Sequence, residues 1–188
     1  NHPLGALDGV ALIRFFGHFY SGKIKFLVND LLMHIKPLAP VFLPINKYGS
    51  QAKESSLQIN NAYESDEQML IFPAGLCSRL QHGKIKDLEW KKTFIAKAVQ
   101  SQRDIIPIYF EGRNSTFFYR FAQIRKCIGL KFNIELIYLP DEMFNSKNKT
   151  FDIYIGKPIP WQTFDKSKSL QEWAQIVKEK VYQIKKNQ

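Results

Sequence analysis

Two cysteines, Cys77 and Cys127, are too few for a disulfide framework, which excludes the small cross-linked secreted scaffolds and fits a reducing compartment. Long apolar runs are also missing. Arg14 interrupts the stretch after Gly9, and Lys36 with three prolines interrupts the one from Leu31 to Ile45, so no segment reaches the ~18 to 20 apolar residues that span a bilayer. Acidic residues are scarce, 17 against 27 Lys and Arg, and the resulting charge of +10 points to an anionic partner: nucleic acid, an acidic carrier protein or an anionic lipid surface. No internal repeat, low-complexity tract or RNA- or DNA-module signature is present, which argues against a solenoid, a disordered tail and a sequence-reading nucleic-acid domain. Asn114-Ser115-Thr116 and Asn148-Lys149-Thr150 match glycosylation sequons, but a three-residue pattern recurs by chance and nothing else here reads as secreted.

What is present is an ordinary globular composition, 45% hydrophobic and 23% charged, at a length that suits one domain with its own core. Residues 1–188 are therefore read as a single domain. Because the chain starts on Asn with its best motif at the first residues, it is expected to be a fragment of a longer protein.

Apolar spacing predicts a helix from Val10 to Tyr20 capped by Asp8, a crossover helix over 50–66, another over 88–102, and a last helix opened by a Ser169/Glu172 capping box. Between these, strands are expected at 23–29, 41–45, 68–72, 105–110, 133–139 and 151–156, the last two as a hairpin-like edge. Such alternation predicts an α/β fold with a largely parallel central sheet and flanking helices, whose strand C-termini gather the site. The aromatic and basic stretch 113–129 is read as a helix packed through Phe118, Phe121, Ala122 and Ile124 with snorkelling Arg.

Three stretches carry chemistry. Asn1-His2-Pro3-Leu4-Gly5-Ala6-Leu7-Asp8 separates a histidine from a carboxylate by five residues of turn-prone chain, a spacing that lets the two side chains meet. An imidazole oriented by a carboxylate through one nitrogen can take a hydroxyl proton with the other. Met69 to Arg79 is an apolar strand running through Phe72-Pro73-Ala74-Gly75 into a loop ending in a guanidinium, and Ile105 to Gly112 is an apolar strand containing Pro107.

In this order the stretches resemble the glycerolipid (lysophospholipid) acyltransferase superfamily, over about residues 1 to 160. Its members carry a His-x4-Asp block, a Phe-Pro-Glu-Gly block and an apolar block with a proline. Here the first gap is five residues, similar to the Asn-His-Pro opening of the hemolysin-like branch. Ala74 stands for the usual Glu, and Cys77 for an Arg that is offset to Arg79.

The resemblance implies an O-acyltransferase in which His2, held by Asp8, deprotonates an acceptor hydroxyl attacking an acyl thioester. It implies acyl-CoA or acyl-carrier protein as donor, no metal and no resident cofactor. Phe72, Pro73, Gly75 and Ser78 would shape the substrate loop; Arg79, with Asn46 and Lys47, would hold an anionic head group. Lysophosphatidate is the default acceptor and a lyso amino-acid lipid of glycine or ornithine type the alternative. The resemblance also implies a preceding N-terminal helical segment, and the expected setting is the cytoplasmic face of the inner membrane, peripheral or anchored by that segment, with no nucleic-acid partner. Two other classes remain: a basic nucleic-acid-binding module, and a hydrolase using Cys77 or Ser78, although the loop lacks the second glycine of a nucleophile elbow.

Overall fold

The computed structural model describes residues 1–28, 32–33, 35–45, 50–130 and 132–187. Its centre is β1 (Ile24–Val28), whose alternate residues Ile24, Phe26 and Val28 are buried, as a period of two dictates for a strand with one face on the core. β2 (Phe42–Pro44) and β3 (Gln68–Leu70) flank it in the order β2-β1-β3, both parallel to it. Parallel neighbours need long crossovers, and α2 (Ser50–Glu64) supplies the one from β2 to β3. α1 (Leu7–Phe19) packs its buried Leu12 and Phe16 against the β1 strand side chains, which gives the mixed α/β architecture with a parallel sheet and flanking helices.

The remaining strands pair antiparallel. β4 (Arg79–Gln81) and β5 (Lys84–Lys86) form a hairpin that the periodicity does not reveal. Its two-residue turn, His82 and Gly83, has φ of 47° and 75°, the left-handed pair that a primed turn requires. β6 (Ile108–Phe110) pairs with β7 (Ile153–Ile155). A second core lies between α3 (Thr93–Gln100) and α6 (Leu170–Ile184), where Phe94, Ile95, Ala174, Val177 and Val181 interlock; Ser169 and Glu172 form the expected capping box.

Two expectations fail in the second half of the chain. Residues 133–139 are not a strand: Ile134–Tyr138 is a 3-10 turn running into α5 (Leu139–Phe144), so the expected 133–139/151–156 hairpin is absent and β7 pairs with β6 instead. The cause is Glu135, which is wholly buried between two arginines, and Pro140, which suits a helix start. On α4 (Thr116–Cys127) the packed face is Phe118, Tyr119 and Ala122, whereas Ile124 faces out.

Candidate active site

The loop before α1 is held at both ends. The Asn1 side-chain amide donates to the Phe110 carbonyl at 3.0 Å and accepts from the Phe110 N–H at 2.6 Å, so it acts as a strand partner at the end of β6. The His2 N–H donates to Asp87 Oδ1 at 3.1 Å, and the His2 carbonyl accepts from the Ser78 N–H at 2.7 Å. Asp87 is buried and also receives Ser78 Oγ at 2.6 Å and Trp90 Nε1 at 2.9 Å, while its own N–H donates to the Tyr182 hydroxyl at 2.8 Å. Gly5, with φ of 81°, makes the turn into the helix; a Cβ there would lie 2.9 Å from the Cys77 Cβ. A β-substituted residue is thus excluded by both backbone conformation and space.

This clamping brings His2 and Asp8 together. His2 Nδ1 lies 3.0 Å from Asp8 Oδ2, which also accepts the Leu4 N–H at 2.9 Å, while Asp8 Oδ1 accepts the Gly9 N–H at 2.9 Å. Asp8 is therefore not the expected cap. It sits inside the first turn of α1, and Ala6 is the N-cap residue with no side-chain bond. Burial by itself pushes the Asp8 carboxyl up, but the charge and hydrogen bond of His2, with the two N–H donors, outweigh it and hold the group below its ordinary value. The helix N-terminus also favours the carboxylate.

The imidazole lies flat on Phe72, with ring centroids 3.7 Å apart and planes 21° from parallel. The packing and the Nδ1 bond fix its plane. Nε2 has no hydrogen-bond partner among the described residues and is the nitrogen available to a substrate. Phe72 and Pro73, with Asn1, also border a cavity of about 180 Å³ whose wall includes Phe16, Leu70 and Phe94. Its lining is mainly apolar. Gly75, at φ 70°, closes the turn after Pro73 by donating its N–H to the Phe72 carbonyl at 2.9 Å, so that N–H is not an oxyanion donor here.

Arg79 is where the sequence reading needs correction. It is 9% exposed, and its guanidinium is committed inside the protein: Nη2 donates to Glu135 Oε1 at 2.8 Å, and Nη1 to the Cys77 carbonyl at 2.9 Å and Cys77 Sγ at 2.8 Å. Arg125 Nε faces the other Glu135 oxygen at 2.8 Å as an ion pair without hydrogen-bond alignment. A guanidinium so held braces the loop and is not presented to a head group. Ser78 is likewise buried and braces the His2 backbone. Asn46 and Lys47 lie outside the described residues.

The hydrolase alternative loses its nucleophiles. Burial pushes the Cys77 thiol up and Arg79 occupies its sulfur, and the Ser78 hydroxyl donates to Asp87 and not to the His2 ring. Sequence reasoning missed Asn1, Asp87 and Lys91. Lys91 Nζ stands 2.9 Å from the Cβ position of Gly75, and its N–H donates to the Pro73 carbonyl at 3.1 Å. Only the Asp87-x-x-Trp90 spacing hinted at local pairing; the contact from Asp87 to His2, 85 residues away, leaves no local signal.

A family model described as Acyltransferase matches residues 1–188. Two curated relatives, each named lyso-glycine lipid O-acyltransferase, come from Bacteroides thetaiotaomicron and Phocaeicola vulgatus. They are 57% and 55% identical over 184 residues, 98% of this chain. The chain spans 68% and 66% of their lengths. The crystal structure of the 1-acyl-sn-glycerophosphate acyltransferase PlsC from Thermotoga maritima aligns over 87% of this chain and 57% of its own, with a TM-score of 0.49 and 16% identity.

Proposed function

The chain belongs to the acyltransferase family whose model it matches from residue 1 to 188, and from that premise we propose that it moves an acyl group from a thioester to the hydroxyl of a lyso amino-acid lipid of the glycine type. Acyl-CoA or acyl-carrier protein is the donor in this reading. Lysophosphatidate, the default of the sequence reading, gives way. Both curated relatives carry lyso-glycine lipid in their names, and Arg79, the guanidinium expected to meet a phosphate, is tied to Glu135.

The observation that carries the mechanism is the His2 geometry: Nδ1 on a buried carboxylate, Nε2 without a partner among the described residues. With Nδ1–H donating to Asp8, Nε2 is the basic nitrogen. It removes the acceptor hydroxyl proton as the oxygen attacks the thioester carbonyl; the C–O bond forms, the C–S bond breaks, and the proton passes to the leaving thiolate. Asp8 stabilises the transient imidazolium without taking a proton itself. The apolar cavity beside Phe72 accepts the hydrocarbon, and Lys91 over Gly75 meets the single carboxylate of the amino lipid.

The test is a direct competition. The full-length protein, supplied with an acyl-CoA or acyl-carrier protein and equal amounts of lyso-glycine lipid and lysophosphatidate, should acylate the first with the higher kcat/KM by mass spectrometry. Preferential formation of phosphatidate would overturn the acceptor assignment.

A further inference from the structure

α4 has two apolar sides, and only one of them is used by the core. Phe118, Tyr119 and Ala122 pack inward. Phe117, Phe121, Ile124 and Ile128 follow the spacing i, i+4, i+7, i+11 and line the other side. Phe117 and Phe121 stack at 5.8 Å and meet Tyr138 edge-on at 5.2 and 5.4 Å, which carries the stripe onto the 3-10 turn before α5. Phe132 just before that turn, Ile137 on it and Phe144 at the end of α5 are 81, 75 and 73% exposed. Isolated exposed apolar side chains are ordinary; several large ones gathered on one helix side and the turn packed against it mark an interaction surface.

We propose that this face docks on an anionic lipid bilayer. Charge selects the occupant. Residues 113–149 carry seven Lys and Arg against three Asp and Glu. Of the three acids, Glu135 is buried with its two arginines, and Glu142 accepts the Ser115 N–H at 2.8 Å and the Ser115 hydroxyl, so Asp141 alone of them is not tied by such contacts. Arg120, which the helical period sets next to Phe117 and Ile124, remains exposed. Exposed aromatic and aliphatic side chains on a segment with this excess of cations suit the boundary between acyl chains and anionic head groups. A second copy would bring two cation-rich segments together, on chains that each carry +10.

The face also adjoins the His2–Asp8 loop. Asn114 Nδ2, just before α4, donates to the Leu4 carbonyl at 3.3 Å, and the Leu139 side chain abuts Gly5. Docking would thus hold that loop close to the lipid surface, where an amphiphilic acceptor and its product reside. This consequence rests on the acyl-transfer reading; the docking itself does not.

The experiment uses the full-length protein and vesicles of phosphatidylcholine with or without phosphatidylglycerol. A polarity-sensitive fluorophore on Cys127, which is exposed at the end of α4 while Cys77 is buried, should shift to an apolar environment only with phosphatidylglycerol vesicles. High salt should reverse the shift. The combined Phe132→Ser, Ile137→Ser and Phe144→Ser protein should need about tenfold more lipid for the same response. Its turnover on a short-chain acceptor free in solution should match the wild type, and failure of that assay in the wild type would count against the acyl-transfer reading alone. A Cys127 probe unmoved by anionic vesicles, or one that shifts with protein concentration in their absence, overturns the proposal.

Discussion

Asp8 and Glu135 are both carboxylates with no exposed surface, each facing a basic side chain about 3 Å away, yet their partners differ in kind. Glu135 sits between Arg79 and Arg125, which remain charged at any physiological pH. Neither partner can release a proton, so the cluster can only lock the loop at Cys77–Arg79 to the 3-10 turn at 134–138. Asp8 faces an imidazole, which can change its charge and keeps its second nitrogen unbonded within the described protein. On the proposed mechanism a buried carboxylate is therefore a fastener or half of a base according to its partner, not its own burial.

The sharpest way to break that comparison is to remove each partner. His2→Ala should lower turnover about 10² to 10⁴-fold, and Asp8→Asn should follow because it loses the orientation of the imidazole. Urea unfolding of His2→Ala should show only a modest loss, since the ring is a lid on Phe72 and not a core element. Glu135→Gln should behave inversely. It leaves a buried guanidinium uncompensated, a change that costs about 3–5 kcal/mol, while turnover below the unfolding transition stays near wild type. If His2→Ala retained its rate, or Glu135→Gln lost rate at full stability, the division between base and fastener would fail.

Smaller effects sharpen it. Lys91→Ala should raise the KM for the lipid acceptor about tenfold at nearly unchanged kcat, as expected for one charge-assisted contact. Acid titration separates the pair further. The Asp8 pKa is lowered on folding from its ordinary 3.8, so its contribution is fully present above that value and is lost as pH falls through the folded pKa. The loss of stability between wild type and Asp8→Asn should accordingly shrink toward zero in strong acid, and a difference that stayed constant below pH 3.8 would contradict the charged pair. Cys77→Ser should have the smallest effect, with turnover near wild type; an acyl group trapped on residue 77 would call for a covalent route.

Much of the fold was legible in the residues because its signals are local. The periodicity of α1, α2 and α6 and the capping box at Ser169 follow from neighbours within four residues, as do the three parallel strands flanked by turn signals. The stretch 133–139 was misread for the complementary reason. Its apolar residues suit a strand, and what decides against one is an ion pair with Arg79, 56 residues away.

The sequence by itself determined which groups could do chemistry. A histidine, an aspartate and a small-residue loop between them stand in one octet, and no fold is needed to know that an imidazole can hand a proton from one partner to another. Tertiary structure decided which groups are available for it. Asp87 fixes the His2 backbone from 85 residues away, Asn1 borrows the edge of β6, and Glu135 withdraws Arg79 from solvent and from any ligand. Availability is a matter of burial and of which hydrogen bonds are already made, and in this protein those partners are set by long-range packing that spacing along the chain does not encode.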